Sequence, residues 1–300
     1  DVIHKLIKMA LDQANITFRS IHAIASTAGP GLLGGLLVGV VAGKTLASSL
    51  QKPFIAVNHL EGHALSIKLE QKIEFPYLLL LVSGGHTEFT IIKKFNSYKR
   101  IGTTIDDALG EAFDKTARLL NMEYPGGPEI EKYAKEGDEN KYKLPLPLIN
   151  EKNCHFSFAG LKSAVANIVA KNKCTEKFKK DMSASFQKTI NKILSTKARH
   201  AIERLQNINK SKDTTKIVVA GGVAANKSLR GALRKLESTH QCEFLFPSIK
   251  YCTDNGAMIA LAGIERYERN MLNKLDFKPK PRWPLDKDAL FMKGKRIVGE

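Results

Sequence analysis

His59 and His63 are the residues whose type and spacing most directly suggest chemistry in this chain. In a helix, positions i and i+4 lie on one face, so the two imidazoles can share a metal ion. Spacing alone does not make a metal site, because such a pair also arises with no ion between its members. A zinc peptidase would need Glu directly after the first His, to activate metal-bound water, and Leu60 holds that place. Glu61 falls roughly 200° around the helix from His59, away from any shared ion. Asp254, in Cys252-Thr253-Asp254-Asn255-Gly256-Ala257, precedes an apolar helical run. It reads either as that helix's N-cap or as a hard oxygen ligand. Two His and one carboxylate with open positions suit Fe²⁺ or Zn²⁺.

Two glycine pairs suggest a second chemistry. Leu81-Val82-Ser83-Gly84-Gly85-His86-Thr87 lies between two apolar runs and fits a hairpin turn whose bare backbone can approach a phosphate closely. Ala220-Gly221-Gly222-Val223-Ala224-Ala225-Asn226 follows another apolar run and leads into a helical pattern, aiming a helix N-terminus at an anion. Gly43-Lys44-Thr45 is not a P-loop: Val38 stands where the motif needs Gly, and Lys44 falls inside a helix.

Short apolar runs must position these groups as strands: Ile21–Thr27, Pro53–Asn58, Tyr77–Ser83, Thr87–Lys93, Lys216–Gly221 and Cys242–Pro247. Helical patterns cover Leu33–Leu50, His59–Leu69, Gly110–Asn121, Lys177–Leu205, Lys227–Leu236 and Asn255–Asn270, with loops at Gly137–Lys152 and Asn207–Thr215. Mixed strands and helices in two halves predict a two-lobed α/β protein. The stretch Ser20–Gly43 has no formal charge but contains Pro30 and six glycines, so it reads as strand, tight turn and buried helix, not as a membrane span. Gly35, Gly39 and Gly43 give one helix face without side chains, expected to pack against another helix within the lobe, with an interface to a partner protein as the alternative.

The composition, 43% hydrophobic and 26% charged over 300 residues, excludes disorder, collagen and a disulfide mini-protein. Four cysteines without C-x-x-C spacing exclude a zinc ribbon and point to a reducing compartment. The net charge of +17 is concentrated between Glu151 and Asp213, which hold 14 Lys/Arg against 5 Asp/Glu. Such a stretch suits a polyanion such as nucleic acid, and Lys179, Lys180 and Lys188 of the long helix are its expected contacts. The chain opens at Asp1 inside an amphipathic helical pattern, so an upstream segment is expected.

Taken together, these segments resemble the tRNA threonylcarbamoyladenosine-forming transferase family, once labelled O-sialoglycoprotein endopeptidase, in its bacterial and mitochondrial branch. The matching stretches are Ser26–Gly31, Gly39–Leu46, Val57–His63, Leu81–Glu88, Ile105–Leu120, Tyr124–Pro128, Phe156–Lys162, Ala220–Asn226, Tyr251–Ala260 and Pro281–Asp286. The resemblance implies an α/β, actin/Hsp70/sugar-kinase-like fold of two lobes. It divides the chain at 1–72, the remainder of the N-terminal lobe, and 73–254, the nucleotide-binding lobe. A helix at 255–286 returns towards the first lobe, and 287–300 form a tail. The family's opening strands and phosphate loop have no counterpart here, which leaves a non-catalytic scaffold of the same fold as the alternative.

The implied reaction moves threonylcarbamoyl from threonylcarbamoyl-AMP to the exocyclic amine of the adenosine 3′ to the tRNA anticodon. By motif, His59, His63 and Asp254 match the ligands of one divalent metal ion, Fe²⁺ favoured and Zn²⁺ next. Leu81, Val82, Ser83, Gly84, Gly85, Asp114, Gly127, Glu131 and Asn226 match the substrate-binding positions. The implied partners are tRNA, a paralogous protein of the same fold and a small ATPase, or a second copy in the mitochondrial case, with no membrane. The implied location is the bacterial cytoplasm, or the mitochondrial matrix in the alternative branch.

Overall fold

A computed structural model of the chain describes residues 2–209 and 214–289. The described residues form two compact units, one of 2–65 with Asn255–Leu285 and one of Ser66–Asp254 with 286–289. Most of the expected tail at 287–300 and the end of the basic stretch, including Lys210 and Lys212, lie outside the described residues.

The first unit opens with α1 (Ile3–Ala14), which buries none of its residues. A βαβ element follows, formed by β1 (Ile24–Gly29), α2 (Leu33–Ser49) and β2 (Phe54–Asn58), with the strands parallel. A parallel pair needs such a crossover, and β2 is buried along its whole length. The chain then turns directly into α3 (His59–Leu65). The buried residues of α2 are Leu36, Val40, Gly43 and Ala47, a narrow stripe.

Only one of the three glycines expected to form a packing face belongs to that stripe. A Cβ on Gly43 would lie 2.0 Å from Ser26 Oγ, whereas one on Gly35 or Gly39 would meet nothing within 4 Å. The expectation that Gly39 packs inside the lobe is therefore corrected. Each four-residue step turns the helix by about 40° beyond a full circle, so a row of glycines drifts off the buried stripe. What Gly43 accommodates is a strand, through Ser26 and Phe54, not a second helix.

The second unit is built on a five-stranded sheet. An antiparallel meander of β3 (Tyr77–Val82), β4 (Thr87–Lys94) and β5 (Ser97–Thr103) leads to helices α4 (Leu109–Leu119), α5 (Gly126–Ala134), α6 (Ala159–Val169) and α7 (Glu176–Asn209). Then come β6 (Thr215–Ala220), α8 (Lys227–Arg234), β7 (Cys242–Leu245) and the short α9 (Ile249–Cys252). The strand order is β5-β4-β3-β6-β7, with β6 parallel to both β3 and β7. The chain finally returns to the first unit as α10 (Gly256–Tyr267).

β3 is the central strand, and all six of its residues are buried, as its unbroken apolar run requires. Against this sheet α7 lays Met182, Phe186, Ile190, Ile193, Leu194 and Ile202, all fully buried. Among the described residues, six of the seven strands and seven of the ten α-helices coincide with the sequence patterns, while β5, α5, α6 and α9 have no counterpart in them.

Candidate functional site

In the first unit the two histidine candidates sit on elements with no slack. Asn58, the last residue of β2, accepts the Leu60 N–H on Oδ1 at 2.9 Å and donates from Nδ2 to Trp283 O at 2.9 Å. His59 therefore begins α3 one residue after a buried strand. The rings of His59 and His63 meet edge to face, with centroids 4.8 Å apart and an interplanar angle of 80°. They occupy one helical face, as the spacing requires.

Glu61 is fully buried and turned the other way, its Oε2 accepting from Arg266 Nε of α10 at 2.7 Å. Its carboxylate is committed to an ion pair, which removes the peptidase reading on structural grounds as well. Gly62 lets α3 approach α10 closely, since a Cβ there would lie 2.9 Å from Ile259 Cδ1.

Asp254 had two readings from sequence, cap or ligand. The helix cap is Asn255, whose Oδ1 accepts the Met258 N–H at 2.9 Å. Asp254, one residue earlier and exposed, is not the cap. Candidate ligand atoms of His59, His63 and Asp254 all lie within 4.8 Å of one another. Within the first unit, α10 packs on α3, and its cap residue Asn255 directly follows Asp254 in the sequence. Two imidazoles and one carboxylate are a borderline-to-hard donor set, suited to a divalent transition ion with remaining positions for an outside ligand.

The nucleotide candidates all lie in the second unit. β3 and β6 run side by side in parallel, pairing Leu81 with Ala220, so the Ser83–His86 turn and the Gly221–Ala225 turn leave the same end of the sheet. In open α/β sheets, ligands bind at the carboxyl ends of strands. The first turn is a tight hairpin: Ser83 N–H donates to His86 O at 2.8 Å, and His86 N–H to Ser83 Oγ at 3.1 Å. Leu81 and Val82 are completely buried, so only their backbone can face a ligand.

The glycines around these turns divide into two kinds. Gly221, at φ +97°, sits against β3 so closely that a Cβ would lie 2.4 Å from Val82 O. Gly110 packs on Ser83 O and Gly84 in the same way, at 2.8 and 2.9 Å. These two are required by the fold. Gly84, Gly85, Gly127 and Gly222 have nothing within 4 Å of where a Cβ would stand, so each presents bare backbone to open space.

Asp114 on α4 accepts the Gly126 N–H at 2.8 Å, fixing the start of α5 beside it, while Phe113, Ala117 and Leu120 face the core. Glu131 on α5 accepts the Lys227 and Ser228 N–H groups at 2.7 and 3.3 Å. Asn226 is buried, caps α8 through the Leu229 N–H at 2.8 Å and donates to Gln187 Oε1 at 2.8 Å. Sequence reading aimed the N-terminus of α8 at an outside anion. Instead the chain's own Glu131 carboxylate takes its first amides, a partner 96 residues away that local sequence does not reveal.

The basic stretch is also corrected in its details. Lys179 pairs with Glu176 at 2.9 Å, Lys180 with Glu136 at 2.6 Å and Lys188 with Glu139 at 3.0 Å. Lys197 is fully buried, donating to the carbonyls of Glu151 and Asn153 at 2.9 and 3.1 Å, and burial pushes its pKa down. Sequence counting scored these side chains as unneutralised surface charge, yet they are paired or enclosed.

The family description "tRNA N6-adenosine threonylcarbamoyltransferase" (TsaD) matches residues 1–261. The chain belongs to the TsaD family. Curated relatives carrying that same description agree. One from Pelagibacter ubique is 54% identical over 97% of this chain and 81% of its own length. One from Rickettsia rickettsii is 50% identical over 95% and 83%, and one from Brucella suis 48% over 99% and 83%. They place the chain in the bacterial, alphaproteobacterial branch of the TsaD family. Among solved structures, full-length HypF in its phosphate- and nucleotide-bound form gives a TM-score of 0.61 at 15% identity, covering 88% of this chain and 41% of HypF. HypF of T. kodakarensis gives 0.59 at 14%, covering 88% and 42%. That likeness shows the fold, actin/Hsp70/sugar-kinase-like as the motifs implied. Among the described residues no helix is long and apolar enough to cross a membrane.

Proposed function

We propose that the chain transfers threonylcarbamoyl from threonylcarbamoyl-AMP to the exocyclic amine of the adenosine 3′ to the anticodon in tRNAs reading codons that begin with A. The amine nitrogen forms a bond to the carbamoyl carbon, and the bond from that carbon to the phosphate oxygen breaks. AMP leaves with that oxygen, and the amine loses one proton. The mixed anhydride is already activated, so the protein's task is positioning and charge stabilisation.

The observation that carries this reading is the set of open glycines at the shared end of β3 and β6, within a chain of this family. Backbone at Gly84, Gly85, Gly127 and Gly222 can approach an adenylate without side-chain obstruction. Leu81, Val82 and Ser83 shape the first turn. Asp114, Glu131 and Asn226 hold α5, the β6–α8 turn and α8 in place, and Asp114 offers its carboxylate to ribose or base. The residues of 73–254 thus take the adenylate-binding role. His59, His63 and Asp254 would hold one divalent ion, Fe²⁺ in preference to Zn²⁺, and such an ion supplies Lewis-acid polarisation when bound. We assign tRNA, a paralogous protein of the same fold and a small ATPase as partners, in the bacterial cytoplasm.

The test is direct. Threonylcarbamoyl-AMP, unmodified tRNA and the chain with its bacterial partners should yield modified adenosine, detected by nucleoside mass spectrometry. His63→Ala should abolish the product and weaken Zn²⁺ binding to the isolated chain. Full product formation by His63→Ala would overturn the metal assignment.

A further inference from the structure

A segment that supplies no metal ligand is fastened behind the two histidines, within the first unit. Residues 273–283 follow α10 and bond to both strands of the βαβ element. Asn273 donates its N–H to Phe54 O at 2.9 Å and accepts the Ala56 N–H on Oδ1 at 2.8 Å. Lys280 N–H donates to Ala28 O at 2.7 Å, and Pro281 O accepts the Gly31 N–H at 3.1 Å. Gly29, at φ +144°, leaves the room that Lys280 O needs, where a Cβ would clash. Phe277 and Trp283 pack against Ala28, Val40, Ala47, Phe54 and Ala56, with ring centroids 5.8 Å apart. Lys44 of α2 donates to Phe277 O. The sequence stretch that begins at Pro281 is thus the end of a strap.

At Trp283 this strap reaches the start of α3. Asn58 is 2% exposed; its Nδ2 donates to Trp283 O, and its Oδ1 accepts the Leu60 N–H, a helix-capping bond. The side-chain amide is planar, so a hold on Nδ2 also fixes Oδ1. α3 has only seven residues, with Gly62 inside it, whereas a helix that stands alone needs about 12–15. Its first turn, which carries His59, therefore depends on where the cap is held. We propose that the strap sets the metal affinity of the site without supplying a ligand, and that Asn58 is the positioning residue that passes its hold to His59 and His63. The inference rests on the reading of those two histidines as metal ligands.

The experiment measures Zn²⁺ affinity of the full chain by competition with a chromophoric chelator. Emission from Trp283, the chain's single tryptophan, reports the strap. Asn58→Ser keeps a hydroxyl that can cap α3 but is too short to reach Trp283 O. It should shift that emission to longer wavelength and weaken Zn²⁺ at least about 10-fold, as loss of the groups that orient metal ligands does. Trp283→Ala releases the strap from the other end and should weaken Zn²⁺ by a similar factor. Val40→Ala opens a cavity in the same buried cluster without removing any of these hydrogen bonds. It should lower the urea-denaturation midpoint while Zn²⁺ affinity stays within about 2-fold of wild type.

Asn58→Ser that shifts the emission yet binds Zn²⁺ as wild type does overturns the proposal, and so does an unshifted emission. Val40→Ala losing as much Zn²⁺ affinity as Asn58→Ser overturns it equally, because general loosening would then explain both. Should Asn58→Ser fail to fold, Trp283→Ala decides, and wild-type affinity there sinks the strap. Undiminished Zn²⁺ binding by His63→Ala removes the metal reading underneath and the proposal with it. Loss of the ion in His63→Ala but not in the Asn58 and Trp283 variants removes the strap alone.

Discussion

Replacing single glycines by alanine separates the backbone that the fold needs from the backbone that a ligand needs. At Gly84, Gly127 and Gly222 the new methyl meets nothing within 4 Å. Stability by urea denaturation should therefore stay within about 1 kcal/mol of wild type, and Gly127→Ala, inside α5, should gain slightly from helix propensity. At Gly221 the same methyl would lie 2.4 Å from Val82 O on a residue held at φ +97°. A non-glycine residue at positive φ costs about 1–3 kcal/mol before any clash is counted, so Gly221→Ala should lose at least about 2 kcal/mol.

Binding should rank the other way among the variants that remain stable. A methyl standing between backbone amides and a phosphate breaks a charge-assisted hydrogen bond of about 1.5–3 kcal/mol. At 1.4 kcal/mol per tenfold, that is a loss of roughly 10- to 150-fold in AMP affinity. Isothermal titration of AMP into Gly84→Ala and Gly222→Ala provides the measurement. Affinities within twofold of wild type in both would refute the placement of the adenylate against these turns.

Two further outcomes follow from charges the structure pairs or buries. Replacing Lys179, Lys180 and Lys188 together with Gln should leave the salt dependence of tRNA binding unchanged, because those lysines are already neutralised by Glu176, Glu136 and Glu139. A flattened log–log slope would show that they contact phosphate. Burial raises the pKa of Glu88 on β4, so the folded state holds its proton to higher pH than the unfolded state does. The folded state then binds more protons above pH 4.5, and the contribution of Glu88 to stability is lost as pH rises from there through the folded pKa. Glu88→Gln should flatten that decline in urea-denaturation midpoints measured from pH 4 to pH 8, and an identical profile would refute it.

Much of the fold could be read from sequence because its central pieces are strongly patterned. The run Tyr77–Val82 is apolar without a break, and α7 repeats its apolar residues over many turns. β5 escaped because it is an edge strand whose residues Ser97 to Arg100 are polar or partly exposed, which is how an edge avoids unwanted pairing. α5 begins Gly126-Gly127-Pro128, residues that read as a turn until Asp114, twelve positions upstream, accepts the Gly126 N–H and starts the helix. The metal-ligand candidates were legible through helical spacing and family motif. The contact of Glu131 of α5 with the start of α8 and the pairing of Lys180 and Lys188 were not, since each depends on a partner distant in sequence that no local pattern specifies.

The adjacency of Asp254 and Asn255 separates two jobs that many helix starts assign to one residue. Asn255 satisfies the first turn of α10. A change at the neighbouring position 254 therefore leaves that cap bond in place. A site arranged in this way can be retuned: His or Cys at 254 would shift the donor set towards softer ions while α10 keeps its start. The joint between α9 and α10 is thus a position where the donor atom can change while the Asn255 cap of α10 stays in place.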